Sequence, residues 1–157
     1  MLIGAVSIFV FATLASWYEG GQLRDNSWVW EHTAIFSNWV NDGYTTAENL
    51  LVIDHFVYAA KFEPLFPLLM ASSFLWVVFQ LTFWLFKGRR AARNTILLLI
   101  TIASFTLCSS LFDSPTTGFK LFSLFFGVVG LASLLSVFLI DGRKIKELNQ
   151  FYLFYNK

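Results

Sequence analysis

The sequence predicts an all-α fold, a four-helix transmembrane bundle with a helical extracytoplasmic cap between the first two spans, and three observations carry that prediction. Four apolar stretches, residues 1–17, 64–86, 95–112 and 121–140, hold almost no ionisable side chain. At roughly 1.5 Å of rise per residue the middle two reach about 34 and 27 Å, enough for a hydrocarbon core of about 30 Å. The composition agrees, because 57% hydrophobic and 13% charged residues in a chain of 157 lie outside the range of soluble domains and the excess sits in long runs. Finally, the charges are sorted by segment. Residues 18–63 carry seven acidic and two basic side chains, whereas Lys87, Arg89, Arg90 and Arg93 separate the second and third stretches and Arg143, Lys144, Lys146 and Lys157 follow the fourth. Lys and Arg in short loops are retained on the cytoplasmic side. The expectation is a single membrane domain, 1–157, in the cell membrane, with both termini cytoplasmic, residues 18–63 outside and 113–120 forming a second outer loop.

The first stretch lacks a preceding basic residue. Its end, Ala12-Thr13-Leu14-Ala15-Ser16, has the small residues of a secretory signal, but without a basic leading region an uncleaved first helix is expected. In the outer segment Val29, Thr33, Phe36 and Val40 recur at helical spacing and predict one short helix, which Asn41-Asp42-Gly43 breaks. Thr45 and Glu48 have capping-box spacing ahead of Leu50, Leu51, Ile53, Phe56, Val57 and Ala60, so a second helix is expected to run to Phe62. Because their aromatics cannot all face water, the two helices are expected to lie on the membrane surface or over the outer mouth of the bundle.

Pro64 and Pro67 open the second span, where missing backbone donors cost little, and Trp84 with Lys87 fits the inner interface. Gln80 is its one strongly polar side chain, expected in an interhelical hydrogen bond. Small residues that let helices approach recur as Ala12 and Ser16, Ser104 and Cys108, and the ridge of Ser123, Gly127 and Gly130. Cys108 is the single cysteine, so no intramolecular disulfide staples the outer segment. Asp141-Gly142 is expected to end the fourth helix, with Ile145, Leu148 and Tyr152 in a short interfacial helix of the cytoplasmic tail 141–157.

The chemistry-bearing residues are sparse. His32, His55, Glu31, Asp54 and Glu63 are the candidate metal ligands, but adjacent residues on a helix point about 100° apart, so Glu31-His32 and Asp54-His55 are poor chelates. No metal and no cofactor is expected: no histidine lies in a span to hold haem, no Gly-x-Ser-x-Gly elbow or phosphate loop occurs, and the spans hold no carboxylate for ion transport. Nucleic acid is not expected as a partner. What remains is a non-enzymatic reading, an accessory subunit or protective factor, with membrane lipid and a membrane protein as partners. Its candidate contact residues are Trp17, Tyr18, Glu19, Trp28, Trp30, Trp39, Tyr44 and Tyr58 in the acidic outer segment. The rival is a small membrane enzyme or carrier using Asp54, His55, Glu63 and Gln80 between cap and spans, which requires those groups to converge.

The segments Ser16-Trp17-Tyr18-Glu19-Gly20, Asp25-Asn26-Ser27-Trp28-Val29-Trp30 and Asp54-His55-Phe56-Val57-Tyr58-Ala59-Ala60-Lys61-Phe62 give the chain a further property. Over roughly its first 70 residues it resembles a family of small bacterial multi-span membrane proteins of unknown function. The resemblance implies an outer segment carrying the signature and supplies no catalytic residue. Within it, Glu19-Gly20 is expected to turn the chain out of the first span, with Glu19 pairing to Arg24 or Lys61.

Overall fold

A computed structural model describes residues 1–43 and 45–155, with side chains described for 1–43 and 45–139. The described residues are helical with no strand. Helix α1 is Leu2–Gly20, followed by 3-10 turns at Gly21–Arg24 and Ser27–Val29, then α2 Trp30–Thr33, α3 Ile35–Val40, α4 Val52–Phe62, α5 Leu65–Leu85, α6 Arg90–Phe112 and α7 Thr117–Tyr155. Four of the described segments, Leu2–Arg24, Leu65–Leu85, Arg90–Phe112 and Thr117–Leu139, are long and apolar enough to cross a membrane. They suggest a multi-pass membrane protein, and their polarity agrees. Leu99, Ile102, Leu124 and Phe138 lie exposed while Ser16, Ser73, Thr101, Ser104, Ser123 and Ser133 are buried. Small polar groups packed inside and large apolar ones outside is what hydrocarbon surroundings select, and water selects the reverse.

Several boundaries differ from the sequence expectations. The α7 backbone continues through Asp141-Gly142 to Tyr155 instead of stopping. One mid-helix glycine costs only about 1 kcal/mol relative to alanine, and the arginine, lysines and leucine that follow are good helix formers. The side chains of Ile145, Leu148 and Tyr152, and all of Lys157, lie outside the described residues, as does Tyr44. Helix α6 starts at Arg90, not near 95, so Arg90 and Arg93 join its first turns, and the Arg93 guanidinium sits 5.5 Å over the Phe83 ring. Its long stem lets the apolar helix reach further than the charge suggests.

The segment expected outside, residues 18–63, departs further. The single helix expected through Val29, Thr33, Phe36 and Val40 is broken at Ala34, whose φ of −87° and ψ of 51° are not helical. Val29 and Thr33 are buried, whereas Phe36 and Val40 are exposed. The expected capping box is absent too: the Thr45 hydroxyl donates to the Asn38 side-chain carbonyl, and α4 begins only at Val52 after an extended Leu51. A tertiary partner outcompeted the local one in both places.

The chain divides into two compact units, Met1–Gln80 with Leu111–Phe122 and Leu81–Ser110 with Ser123–Lys157. In the first, α4 lies against the end of α1: a Cβ on Gly20 would fall 2.6 Å from the His55 carbonyl carbon. Gly20 therefore sits inside α1 and serves close packing, not the chain reversal expected of it. At the other end of α4, a Cβ on Gly118 in the first turn of α7 would fall 2.5 Å from the Lys61 carbonyl oxygen. Phe9 meets Phe74 and Phe11 meets Phe66 across α1 and α5, each pair at 5.9 Å between centroids. Leu23, Val29 and Tyr58 form a small core covered by Trp30 and Leu50. In the second unit, the expected ridge packs on α6: Ser123 Oγ donates to the Cys108 carbonyl at 2.8 Å, and Gly127 and Gly130 make room for Cys108 Sγ and the Phe105 ring.

Candidate functional site

The segment between the first two candidate spans is organised around Asp54. This residue lies in the first turn of α4 and is 0% exposed. Its carboxylate accepts from the Phe36 amide at 3.0 Å, the Ser37 amide at 2.7 Å and the Ser37 hydroxyl at 2.5 Å. Those amides are first-turn donors of α3, which have no intrahelical partner, so a carboxylate from α4 does what a local cap would do. Ser37 Oγ in turn accepts from the Leu51 amide at 2.8 Å, joining the entry of α4 to the start of α3. Asn38 continues the stitching by donating to the Trp30 carbonyl at 2.9 Å. From the sequence alone Asp54 reads as a possible acid or base group beside His55. The polar pair Ser37-Asn38 inside the apolar run Ile35–Val40 was the signal that α3 needed polar contacts within the protein.

Beside this scaffold an open pocket of about 650 Å³ is lined by Trp28, Val29, Glu31, His32, Lys61 and Phe62, among others, with Pro115 and Thr116 at one edge. Lys61 is the basic residue of the lining, and its ammonium donates to the His32 carbonyl at 2.9 Å and sits 5.7 Å over the Phe119 ring. Burial lowers the Lys61 pKa from the usual lysine range. The folded protein therefore sheds this proton before the unfolded chain does, so stability is expected to rise with pH through the window just below the ordinary lysine value. Melting temperatures of wild type and Lys61→Met across about pH 8–10 check this, because methionine keeps the stem and should abolish the rise attributable to Lys61. Equal slopes in the two proteins would refute it.

Residues 1–86 match the family described as a domain of unknown function, DUF4306, which is more than half of the chain. The chain belongs to that family. The DUF4306 region contains α1 to α5, hence the first two candidate spans, the Asp54 scaffold and every pocket residue just named except Pro115 and Thr116. A relative, the uncharacterized protein YjdJ of Bacillus subtilis (strain 168), is 32% identical over 76 residues, covering 47% of this chain and 70% of that protein. No solved structure matches the chain.

Within the DUF4306 region the expected contact residues separate into two groups. Trp17, Tyr18, Trp28 and Trp39 are exposed. Trp30 and Tyr58 instead serve the core: Trp30 Nε1 donates to the Leu23 carbonyl at 2.8 Å, and the buried Tyr58 hydroxyl accepts from Asn26 Nδ2 at 3.1 Å. Glu19 makes no ion pair among the described residues. The expected bond to Lys61 or Arg24 is absent because the Lys61 ammonium is held by His32, and Glu19 Oε2 is enclosed without a hydrogen-bond partner. The residues of the rival reading do not gather. Asp54 is occupied by α3, the His55 ring Nδ1 lies 3.1 Å from the Leu51 carbonyl, Glu63 is exposed after α4, and Gln80 is half-buried in α5. No group of three or more His, Cys, Asp or Glu residues stands together among the described residues.

Proposed function

We propose that this DUF4306 protein is a non-enzymatic integral protein of the cell membrane, an accessory or protective factor that engages a membrane protein partner through its outer segment. The observation that carries the reading is Trp28, 80% exposed at the rim of the pocket beside Glu31 and His32. A large rigid ring held on a hydrogen-bonded scaffold loses little conformational entropy on contact, which is why such rings dominate protein interfaces. The surrounding segment, net −5 over residues 18–63, favours a partner surface carrying positive charge. Retention of Lys and Arg inside supports cytoplasmic termini and an outer position for this segment.

A photoreactive amino acid at position 28, activated in intact cells, tests the proposal. The expected result is one discrete protein adduct that weakens when Glu31→Lys reverses the neighbouring charge. Lipid adducts alone at position 28, matching those from the exposed span position Leu124, would overturn it. Orientation is checked in the same cells: Gly43→Cys in a Cys108→Ala background should react with a membrane-impermeant maleimide added outside, and protection until lysis would reverse the assignment.

A further inference from the structure

The inverted polarity of the spans continues into part of the outer segment. In α3 the polar residues Ser37 and Asn38 turn inward to Asp54 and the Trp30 carbonyl, while Ile35, Phe36, Trp39 and Val40 are exposed, Trp39 by 81% and Val40 by 59%. The start of α4 repeats the arrangement: Asp54 is fully buried, whereas Leu51, Val52 and Ile53 are exposed. None of these outward residues is charged. Elsewhere in the same segment the polarity is the ordinary one, with Leu23, Val29 and Tyr58 enclosed and Gln22, Arg24, Asp25 and Ser27 outside. A segment wholly in water would have no cause to reverse its pattern at one corner.

The position of that corner says what covers it. Val52 and Ile53 lie two to three residues before His55, whose carbonyl abuts Gly20 at the outer end of α1. Ile35 and Phe36 are tied to the same level through the Phe36 amide on Asp54. The apolar corner is therefore fastened at the level where α1 ends, four residues before the close of the first candidate span. Bilayer interfaces favour tryptophan and aliphatic side chains there.

We propose that the outward face of α3 and the first turn of α4 are seated in the outer-leaflet interface of the bilayer that the protein crosses. The occupant of this face is lipid, so the outer segment has a lipid-facing corner that adjoins, at Ile35 in the pocket lining, the face around Trp28 that is open to the partner. The inference rests on the membrane reading and refines its partner surface by removing Trp39 from it.

The test places an environment-sensitive fluorophore on single cysteines in a Cys108→Ala background, reconstituted in vesicles of phosphatidylethanolamine and phosphatidylglycerol. Ile35→Cys and Val52→Cys probe the corner independently, Glu48→Cys is the exposed comparison, and Leu124→Cys reports a span. Labels at 35 and 52 are expected to be quenched by nitroxide lipids and shielded from aqueous iodide by about threefold or more relative to position 48, as headgroup-depth groups are. Iodide access at 35 and 52 equal to that at 48, with Leu124 still quenched by lipid, would overturn the proposal and leave the membrane reading standing. Iodide access at 124 would remove both. Shielding of 35 and 52 in native membranes but not in vesicles would assign the corner to a protein partner and overturn lipid seating.

Discussion

Asp54→Ala is expected to release α3 and loosen the segment between the first two candidate spans by about 3 kcal/mol or more, because it strands two backbone amides and a hydroxyl inside the protein. The carboxylate is their shared acceptor, and α3 has only six residues, too few to stand alone. In detergent, chymotrypsin cleavage near Phe36 and Trp39 should accelerate by about a hundredfold if opening limits access, the ratio that such a loss implies. Asp54→Asn, which keeps one acceptor oxygen and the side-chain volume, should fall between. Ser37→Ala should cost about 1–2 kcal/mol, since it removes the bridge to the Leu51 amide but leaves the amide bonds to the carboxylate. A wild-type cleavage pattern in Asp54→Ala would refute the scaffold role.

The second large effect is expected at the glycines that hold α4 in place. Gly20→Ala and Gly118→Ala each drive a methyl group into backbone that cannot rotate away, the first against His55 and the second against Ala60 and Lys61. Overpacking against main chain should cost about 3 kcal/mol or more, on the order of a 10 °C fall in melting temperature for a chain of this size. A thiol-reactive dye reporting on the half-buried Cys108 reads the transition. Gly4→Ala and Gly21→Ala, where an added methyl meets nothing within 4 Å, are the controls and should melt with wild type or slightly above it. Identical melting of Gly20→Ala and Gly21→Ala would refute the packing role.

What the sequence discloses of this protein depends on the range of the forces involved. The spans were legible because a run of apolar residues states its own surroundings, and the small-residue ridge of Ser123, Gly127 and Gly130 was legible because lipid leaves close packing as the main means of helix contact. Residues 18–63 were legible only as helical. Thr45 matched a local capping pattern, but Asn38 took its hydroxyl. Gly20 was readable as a special position, yet the reason lies in His55, thirty-five positions further along the chain. Asp54 likewise drew notice as a carboxylate beside a histidine, while its partners stand up to eighteen positions before it. The Asp141-Gly142 boundary failed for a different reason: a breaker costs about 1 kcal/mol, and the good helix formers that follow it outweigh it. For the site itself, Trp28 and Trp39 were readable as aromatic side chains but not as exposed ones, and Trp30 and Tyr58 could not be told from them until the Leu23 and Asn26 partners were in view.

The bond between Asp54 and Ser37 also imposes an order on biosynthesis. The α3 amides of Phe36 and Ser37 leave the ribosome eighteen and seventeen residues ahead of the oxygens that receive them. A nascent polypeptide that has not yet delivered α4 therefore lacks the carboxylate that caps α3, and keeps the Asn38 contacts to Trp30 and Thr45. A product truncated upstream of Asp54 is therefore expected to contain α1 complete but to leave the first-turn amides of α3 without their acceptor.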